Sequence, residues 1–225
     1  MRGKLIVLCG TDGSGKATQA KLLAEKLKKE GFSVKEADFP QYGKSFFAGL
    51  VQRYLNGEFG SADEVSPYFA SLIYAGDRFE AAGQLSKWLD EGSIIISNRY
   101  VSDNKAHQGG KIGDKKKRQE FFAWLDELEY KTMKIPKEDL VVFLNVPYEI
   151  GQQLVDKKGD REYLNGKKRD IHEADKEHLK AAYNAYLEMA KSEKNWVRID
   201  CTSSGKILPV EEIAAMVWAA VKSRI

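Results

Sequence analysis

The sequence predicts a single α/β domain built around a parallel sheet. Short apolar runs alternate with longer segments whose apolar residues recur every three or four positions, a pattern typical of strand–helix–strand units. The chain has 225 residues, of which 43% are hydrophobic and 31% charged, an ordinary globular mixture that can bury a substantial core. We therefore expect three layers, with five parallel strands between flanking helices, in one domain covering residues 1–225.

Five short apolar runs are predicted to be the strands of this sheet. The first, Leu5–Cys9, is continuously apolar, as expected for a strand that is buried on both faces. Pro40 ends the second, because proline cannot donate a backbone hydrogen bond. In chain order the strands are expected at Leu5–Cys9, Phe32–Asp38, Ile94–Ser97, Leu140–Val146 and Trp196–Ile199.

The helices are predicted from apolar periodicity and from residues typical of helix ends. Leu23 and Leu27 lie on one face of the first helix, and Gly31 ends it. Ser66 followed by Pro67 is typical of a helix N-terminus. In chain order the helices are expected at Ser14–Glu30, Phe46–Leu55, from Pro67 toward Gly92, Lys115–Lys131, Tyr148–Lys157, Glu173–Lys191 and Pro209–Val221.

The charge and the cysteines exclude several classes of protein. A net charge of +3 is too small to predict a nucleic-acid partner. Cys9 and Cys201 have no metal-binding spacing and predict neither a disulfide framework nor a zinc site. The longest apolar stretch, Ile213–Val221, is too short to span a membrane, and Leu5–Cys9 is too short for a signal peptide. A cytoplasmic location without membrane contact is expected.

A glycine-rich loop follows the first predicted strand and begins the first predicted helix. The segment from Gly10 to Lys16 has the spacing G-x-x-x-x-G-K in the strand–loop–helix context that this phosphate-binding motif requires. Backbone N–H groups and the helix N-terminus would surround a phosphate, and Lys16 would reach the β- and γ-phosphates. The predicted fold is thus the three-layer P-loop NTP hydrolase type. The predicted ATP contacts in this loop are Gly10, Gly13, Ser14, Gly15, Lys16, Ala17 and Thr18.

Ala17 departs from the usual motif. A serine or threonine normally follows the lysine, and its hydroxyl binds Mg²⁺. Thr18 does not simply replace it, since one residue along a helix turns by about 100°. Ala17 therefore weakens the direct metal ligand and leaves the prediction of nucleotide binding unchanged.

Three further segments narrow the class of protein. The loop alone does not distinguish kinases from GTPases or motor ATPases, and no N-K-x-D guanine signature stands in a suitable place. The additional segments are F-P-Q-Y-G at 39–43, Y-A-G-D-R at 74–78, and N-R-Y-V-S-D-N followed by A-H-Q-G between 98 and 109. Together with the phosphate loop, in this order and over nearly the whole chain, they resemble the thymidylate kinase family. The resemblance implies transfer of the γ-phosphate of ATP to dTMP, with Mg²⁺ as cofactor.

The resemblance implies roles for residues around the acceptor nucleotide. Arg78 and Arg99 would hold the acceptor phosphate, since guanidinium groups form bidentate phosphate contacts. Asp12 would meet the deoxyribose 3′-hydroxyl. The aromatic and amide side chains expected at the sugar and base are Phe39, Tyr42, Tyr74, Asn104 and Gln108.

The charged stretch 157–170 is predicted to form a mobile lid. Some relatives carry an arginine in the phosphate loop at the position of Gly13, and those without it use lid cations. Arg161 is the preferred candidate for the cation over the γ-phosphate, followed by Arg169, which is also expected to contact ATP. The predicted catalytic residues are Lys16, Arg99, Arg161 and Asp12.

Asn98 is the second departure from the resemblance. Relatives usually have an aspartate there, which helps to hold Mg²⁺ through water, whereas asparagine keeps an oxygen acceptor without the charge. Three alternatives stay open: Mg²⁺ held by phosphates, water and Asp12, a slow enzyme, or a degenerate nucleotide-binding homologue. Another nucleoside monophosphate as acceptor also stays open. The resemblance further implies a homodimer built on helices around residues 43–90.

Overall fold

Five parallel strands form the central sheet of the structure, a computed structural model that describes residues 2–156, 169–173 and 175–225. The observed strands lie within two residues of the predicted ends. They are β1 (Lys4–Cys9), β2 (Val34–Asp38), β3 (Ile94–Asn98), β4 (Leu140–Asn145) and β5 (Trp196–Asp200). Their order in the sheet is β2-β3-β1-β4-β5, and every neighbouring pair is parallel, which confirms the predicted sheet.

Helices cover both faces of the sheet. They are α1 (Lys16–Lys29), α2 (Phe46–Leu55), α3 (Pro67–Asp90), α4 (Val101–Gly110), α5 (Lys115–Asp126), α6 (Tyr148–Val155), α7 (Lys176–Ser192) and α8 (Val210–Lys222). Successive β1 residues point to opposite faces, so that Leu5 and Val7 pack in one hydrophobic core and Ile6 and Leu8 in the other. The first core includes residues of α3, α4, α5 and α7, and the second core includes residues of α1 and α8.

Three elements were not predicted. Helix α4 lacks apolar periodicity because nearly all of it is buried, polar side chains included. The predicted helix from Lys115 ends as a π-helical turn at Glu127–Thr132. A short antiparallel hairpin, β6 (Thr202–Ser203) and β7 (Lys206–Ile207), follows β5.

The sheet brings the candidate site residues to one edge. Strands β1, β2 and β3 all end there, and their register pairs Asn98 with Leu8 on one side and with Asp38 on the other. Ligands of open α/β sheets bind outside the carboxyl ends of the strands, and this edge is therefore the expected site. Cys9 and Cys201 are buried free thiols, as predicted. No helix in the described ranges is long and apolar enough to cross a membrane.

Candidate active site

The phosphate loop has the backbone that its glycines predict. Gly15 has φ +85° and forms the N-cap of α1, and this left-handed conformation favours glycine. The ammonium group of Lys16 is buried and donates to the carbonyl oxygens of Gly10 at 2.9 Å and Thr11 at 2.8 Å. Lys16 is thus held over the loop, where a bound phosphate would be in reach.

The position of Gly13 accepts no larger side chain. Its φ is +81°, and a Cβ built on it would lie 2.0 Å from the carbonyl oxygen of Gly151 in α6. The phosphate loop and the first turn of α6 therefore touch backbone to backbone. This packing accounts for the lack of an arginine in the loop.

A cavity of about 400 Å³ opens beside the loop at the strand ends. Fourteen of the predicted site residues line it: Asp12, Gly13, Gly15, Lys16, Ala17, Thr18, Phe39, Tyr42, Tyr74, Arg78, Asn98, Arg99, Asn104 and Gln108. Gly10 and Ser14 belong to the same loop and do not line the cavity. The cavity also receives residues without a predicted role, which include Asp38, Asp103, Asp170 and His172.

Arg99 is fixed between two carboxylates by an unusual backbone. Its φ is +65°, a region that costs a non-glycine residue roughly 1–3 kcal/mol, and such strain is concentrated at functional sites. Its guanidinium group donates to Asp12 and, at 3.0 Å, to Asp103. Asp103 also accepts from the buried hydroxyl of Tyr186 at 2.7 Å. The sequence motif includes Asp103, but no local pattern indicates that it orients Arg99.

A buried carboxylate organises the inner end of the cavity. Glu129 is fully buried and accepts from Nε and Nη2 of Arg78 at 2.5 and 2.6 Å. It also accepts from Nδ2 of Asn104 at 3.1 Å. Burial alone would lower the pKa of Arg78, but the adjacent Glu129 carboxylate outweighs this, and the pKa is raised. Arg78 is therefore charged and neutralised locally. Its predicted contact with the acceptor phosphate stays a prediction.

The inner wall near this ion pair is aromatic. Phe39 is buried and meets Tyr100 with ring centroids 5.5 Å apart. Tyr74 meets Tyr54 at 6.3 Å, and burial raises the pKa of Tyr74 well above its ordinary value. The cavity thus has an aromatic, apolar wall beside the polar side chains of Asn104 and Arg78. Such a lining suits a ligand with a flat ring that carries hydrogen-bonding groups along one edge.

Several side-chain oxygens that could bind a cation line the cavity. Nδ2 of Asn98 donates to Asp38 at 2.8 Å, while Oδ1 of Asn98 has no hydrogen-bond partner within the described residues. Burial raises the pKa of Asp38, and the nearby Arg99 partly opposes this. Burial, and then the neighbouring Glu173, raise the pKa of Asp170 to about 7. These oxygen atoms are a donor set that suits Mg²⁺.

Part of the predicted lid lies outside the described residues. Residues 157–168 are not described, and Arg161 is among them. Arg169 is described, and its guanidinium group donates to Asp156 at 2.6 and 2.8 Å. It lines a small cleft together with Thr11 and Asp12 of the phosphate loop. Its predicted contact with ATP is compatible with this location and stays a prediction.

The fold and the site together define a class. A phosphate loop between β1 and α1 of a parallel sheet, opening on a cavity with two arginines and several carboxylates, is the architecture of a P-loop phosphotransferase. The comparisons with known proteins refine this class.

The family model described as thymidylate kinase matches residues 8–213. A thymidylate kinase of Mycobacterium tuberculosis is 29% identical over 186 residues, which are 83% of this chain and 85% of that protein. One of Plasmodium falciparum is 28% identical over 201 residues, 89% of this chain and 83% of its own. The solved thymidylate kinase of Candida albicans has the same fold, with a TM-score of 0.71 and 23% identity, covering 99% of this chain and 92% of that one. The chain belongs to the thymidylate kinase family.

Proposed function

We propose that this protein transfers the γ-phosphate of ATP to dTMP, giving ADP and dTDP. An oxygen of the acceptor phosphate attacks the γ-phosphorus, and the bond between that phosphorus and the β,γ-bridging oxygen breaks as ADP leaves. Positioning and charge neutralisation supply most of such a reaction's catalysis, and no covalent intermediate on the protein is needed. The choice of acceptor rests on one observation, the hydrogen-bonding edge of the cavity. This edge consists of the side chains of Asn104 and Arg78, both of which Glu129 holds in place.

That edge has a defined polarity. Because Nδ2 of Asn104 donates to Glu129 and to the carbonyl oxygen of Ser71, Oδ1 is turned the other way and has no partner among the described side chains. Arg78 uses Nε and Nη2 on Glu129, which leaves Nη1 for a ligand. Both residues line the cavity, which thus offers an acceptor from Asn104 and a donor from Arg78.

A thymine ring presents the complementary pair. Its N3–H donates and its O4 accepts, matching Oδ1 of Asn104 and Nη1 of Arg78. Cytosine and adenine present the opposite order, an acceptor ring nitrogen beside an amino donor, and would leave buried groups unpaired. Phe39 and Tyr74 supply the apolar surroundings, and Gln108 lies fully buried nearby. We therefore assign Arg78 to the base rather than to the phosphate.

The phosphates belong with the remaining cations. Lys16 would bridge the phosphates of ATP, and Arg99 would hold the acceptor phosphate, exchanging its bonds to Asp12 and Asp103 for phosphate oxygens. Asp12 would meet the 3′-hydroxyl of deoxyribose, beside Tyr42 in the same cavity. Arg169 lies next to the phosphate loop and would contact ATP, while Arg161 keeps its proposed role over the γ-phosphate.

Mg²⁺ would be held by oxygen atoms that the loop motif does not contain. Asp38 and Asp170 line the cavity and offer carboxylates, and Oδ1 of Asn98 can accept from a metal-bound water. Ala17 has no oxygen to add. The ion neutralises phosphate charge when it is bound.

The test is ADP release from Mg·ATP by the purified protein, with dTMP, dUMP, dCMP and AMP as acceptors in parallel. We expect release that depends on dTMP, and its loss in the Lys16→Ala variant, which removes the phosphate-loop cation. Release with dCMP or AMP alone would overturn the base assignment. Binding of ADP without release for any acceptor would favour a degenerate nucleotide-binding homologue, which Ala17 and Asn98 suggest.

An exposed apolar surface on α2 and α3 supports the proposal of a homodimer. Phe46 is 73% exposed, Phe69 72% and Phe79 52%, and Leu72 lies between the last two on α3. Large exposed apolar patches mark interaction sites. We expect the protein to sediment as a dimer and a Phe69→Asp variant to sediment as a monomer. Phe32→Asp, at an exposed phenylalanine outside both helices, is the matched control.

A further inference from the structure

All three histidines of the chain meet in one buried cluster. His107 lies on α4, His178 lies on α7, and His172 lies on the segment between the predicted lid and α7. One ring nitrogen of each lies within 4.8 Å of those of the other two, and no side chain of the three is more than 7% exposed. Three separate elements thus bring every imidazole of the protein to one place.

The cluster can present imidazole lone pairs to a metal. Neutral imidazole is the form that binds metal ions. Nε2 of His107 is buried and has no hydrogen-bond partner among residues 2–156, 169–173 and 175–225. When the ring proton is on that atom, the lone pair of Nδ1 is the one that can bind a metal.

The spacing is close to that of a tetrahedral ion. Two nitrogens bound to zinc at about 2.0–2.1 Å lie about 3.3 Å apart, and Nδ1 of His107 lies 3.3 Å from Nε2 of His178. The third ring, His172, is stacked on His178 with centroids 4.2 Å apart. Binding at one ion requires the stacked rings to rotate about their last side-chain bond until the three nitrogens converge, with water as the fourth ligand.

We propose that His107, His172 and His178 form a binding site for a zinc-class divalent transition metal in the wall of the acceptor cavity. His107 and His172 line that cavity, and the site is therefore open to ions from the same side as substrate. It differs in chemistry from the oxygen ligands assigned to Mg²⁺, because imidazole nitrogen suits zinc and cobalt, whereas Mg²⁺ prefers oxygen. Lys111 is a cation close to the cluster, and it donates at 2.8 Å to the Tyr54 hydroxyl that contacts His172.

The experiment is a Co²⁺ titration of the full chain without a histidine tag, followed by visible absorption. Millimolar Mg²⁺ is present throughout, so that oxygen ligand sites are occupied. We expect one Co²⁺ per chain, with the intense d–d bands of a tetrahedral site. His178→Gln removes the one imidazole that does not line the cavity, and we expect it to weaken binding by at least about 10-fold. Cys201→Ala, which removes a buried thiol, is the matched control and should leave the titration unchanged.

Two results would overturn the proposal. One is the absence of tetrahedral bands in the wild-type protein, and the other is equal Co²⁺ affinity in the His178→Gln variant. If that variant does not fold, X-ray absorption of the wild-type Co²⁺ complex decides the question. Three imidazole ligands support the site, and two or fewer overturn it.

Discussion

Glu129 orients the two side chains that are proposed to select the base, Arg78 and Asn104, and the Glu129→Gln variant tests that role. The substitution keeps the size of the side chain and removes its charge. In the wild-type protein the carboxylate accepts two hydrogen bonds from Arg78 and one from Asn104 while fully buried. Breaking a buried ion pair costs about 3–5 kcal/mol, because one charge is left uncompensated. We expect the melting temperature to fall by about 6–20 °C.

Selectivity should change in a way that general destabilisation would not produce. With dCMP bound, the groups of Asn104 and Arg78 would face two mismatched groups of the base. At about 1–3 kcal/mol each, these predict a kcat/KM roughly 30-fold to 2 × 10⁴-fold below that for dTMP. Glutamine in place of Glu129 can donate as well as accept, so the side-chain amide of Asn104 can turn over and present Nδ2 to the base. The mismatch with the acceptor nitrogen N3 of cytosine then disappears. We expect the ratio of kcat/KM for dTMP over dCMP to fall by about 5- to 150-fold.

The assay is ADP release with each acceptor, run below the melting temperature of the variant. Glu138→Gln is the matched control, since Glu138 is also a buried carboxylate, bonded at 2.5 Å to Tyr130 and away from the cavity. That control should lower stability without changing selectivity. An unchanged selectivity ratio in a Glu129→Gln protein that still phosphorylates dTMP would refute the role of this edge.

Three further outcomes follow from the structure. Gly13 has φ +81°, and the Gly13→Ala variant would place a Cβ 2.0 Å from the carbonyl oxygen of Gly151. We expect the KM for ATP to rise at least about 10-fold, because a left-handed backbone alone costs a residue with a Cβ about 1–2 kcal/mol. Asn98→Asp adds a carboxylate beside Asp38, and we expect tighter Mg²⁺ activation in a Mg²⁺ titration of the rate. The pKa of His178 falls from 6.5 to about 4 on folding, so its contribution to stability is present above pH 6.5 and lost as pH falls toward 4. Relative to His178→Gln, the wild-type protein should therefore lose about 1.4 kcal/mol of unfolding free energy between pH 7.5 and 5.5, measured by urea denaturation.

Each of these outcomes has a control and a result that contradicts it. Gly113→Ala, at a position with open space around its Cβ, should leave the KM for ATP unchanged. Equal KM values for Gly13→Ala and the wild type would show that the loop does not need its contact with α6. Unchanged Mg²⁺ activation in Asn98→Asp would remove this residue from the metal site. Parallel pH profiles for the wild-type and His178→Gln proteins would show that the imidazole is not neutral when buried.

Local sequence patterns predicted the sheet and the phosphate loop, because each depends on residues that are adjacent in the chain. The run Leu5–Cys9 is apolar at every position because both faces of β1 are covered, and Gly15 is needed where the backbone turns left-handed. Helix α4 escaped prediction because its burial on nearly all sides removes the polar face that periodicity requires.

The orientation of side chains within the site depends on contacts between distant residues, and the sequence could not predict it. Arg78 was expected at the acceptor phosphate because a guanidinium suits a phosphate, and only the fold shows Glu129, 51 residues later, as its partner. Asp38 and Asp170 offered no motif that separates them from surface carboxylates. The meeting of the three histidines likewise depends on the packing of α4 against α7.

The central claim is phosphoryl transfer from ATP to dTMP, and ³¹P NMR of one reaction mixture tests it most directly. With Mg·ATP, dTMP and catalytic protein, we expect the dTMP resonance to be replaced by the two resonances of dTDP, in equal amount to the ADP formed. ADP accompanied by inorganic phosphate, with dTMP unchanged, would mean hydrolysis without transfer and would contradict the account.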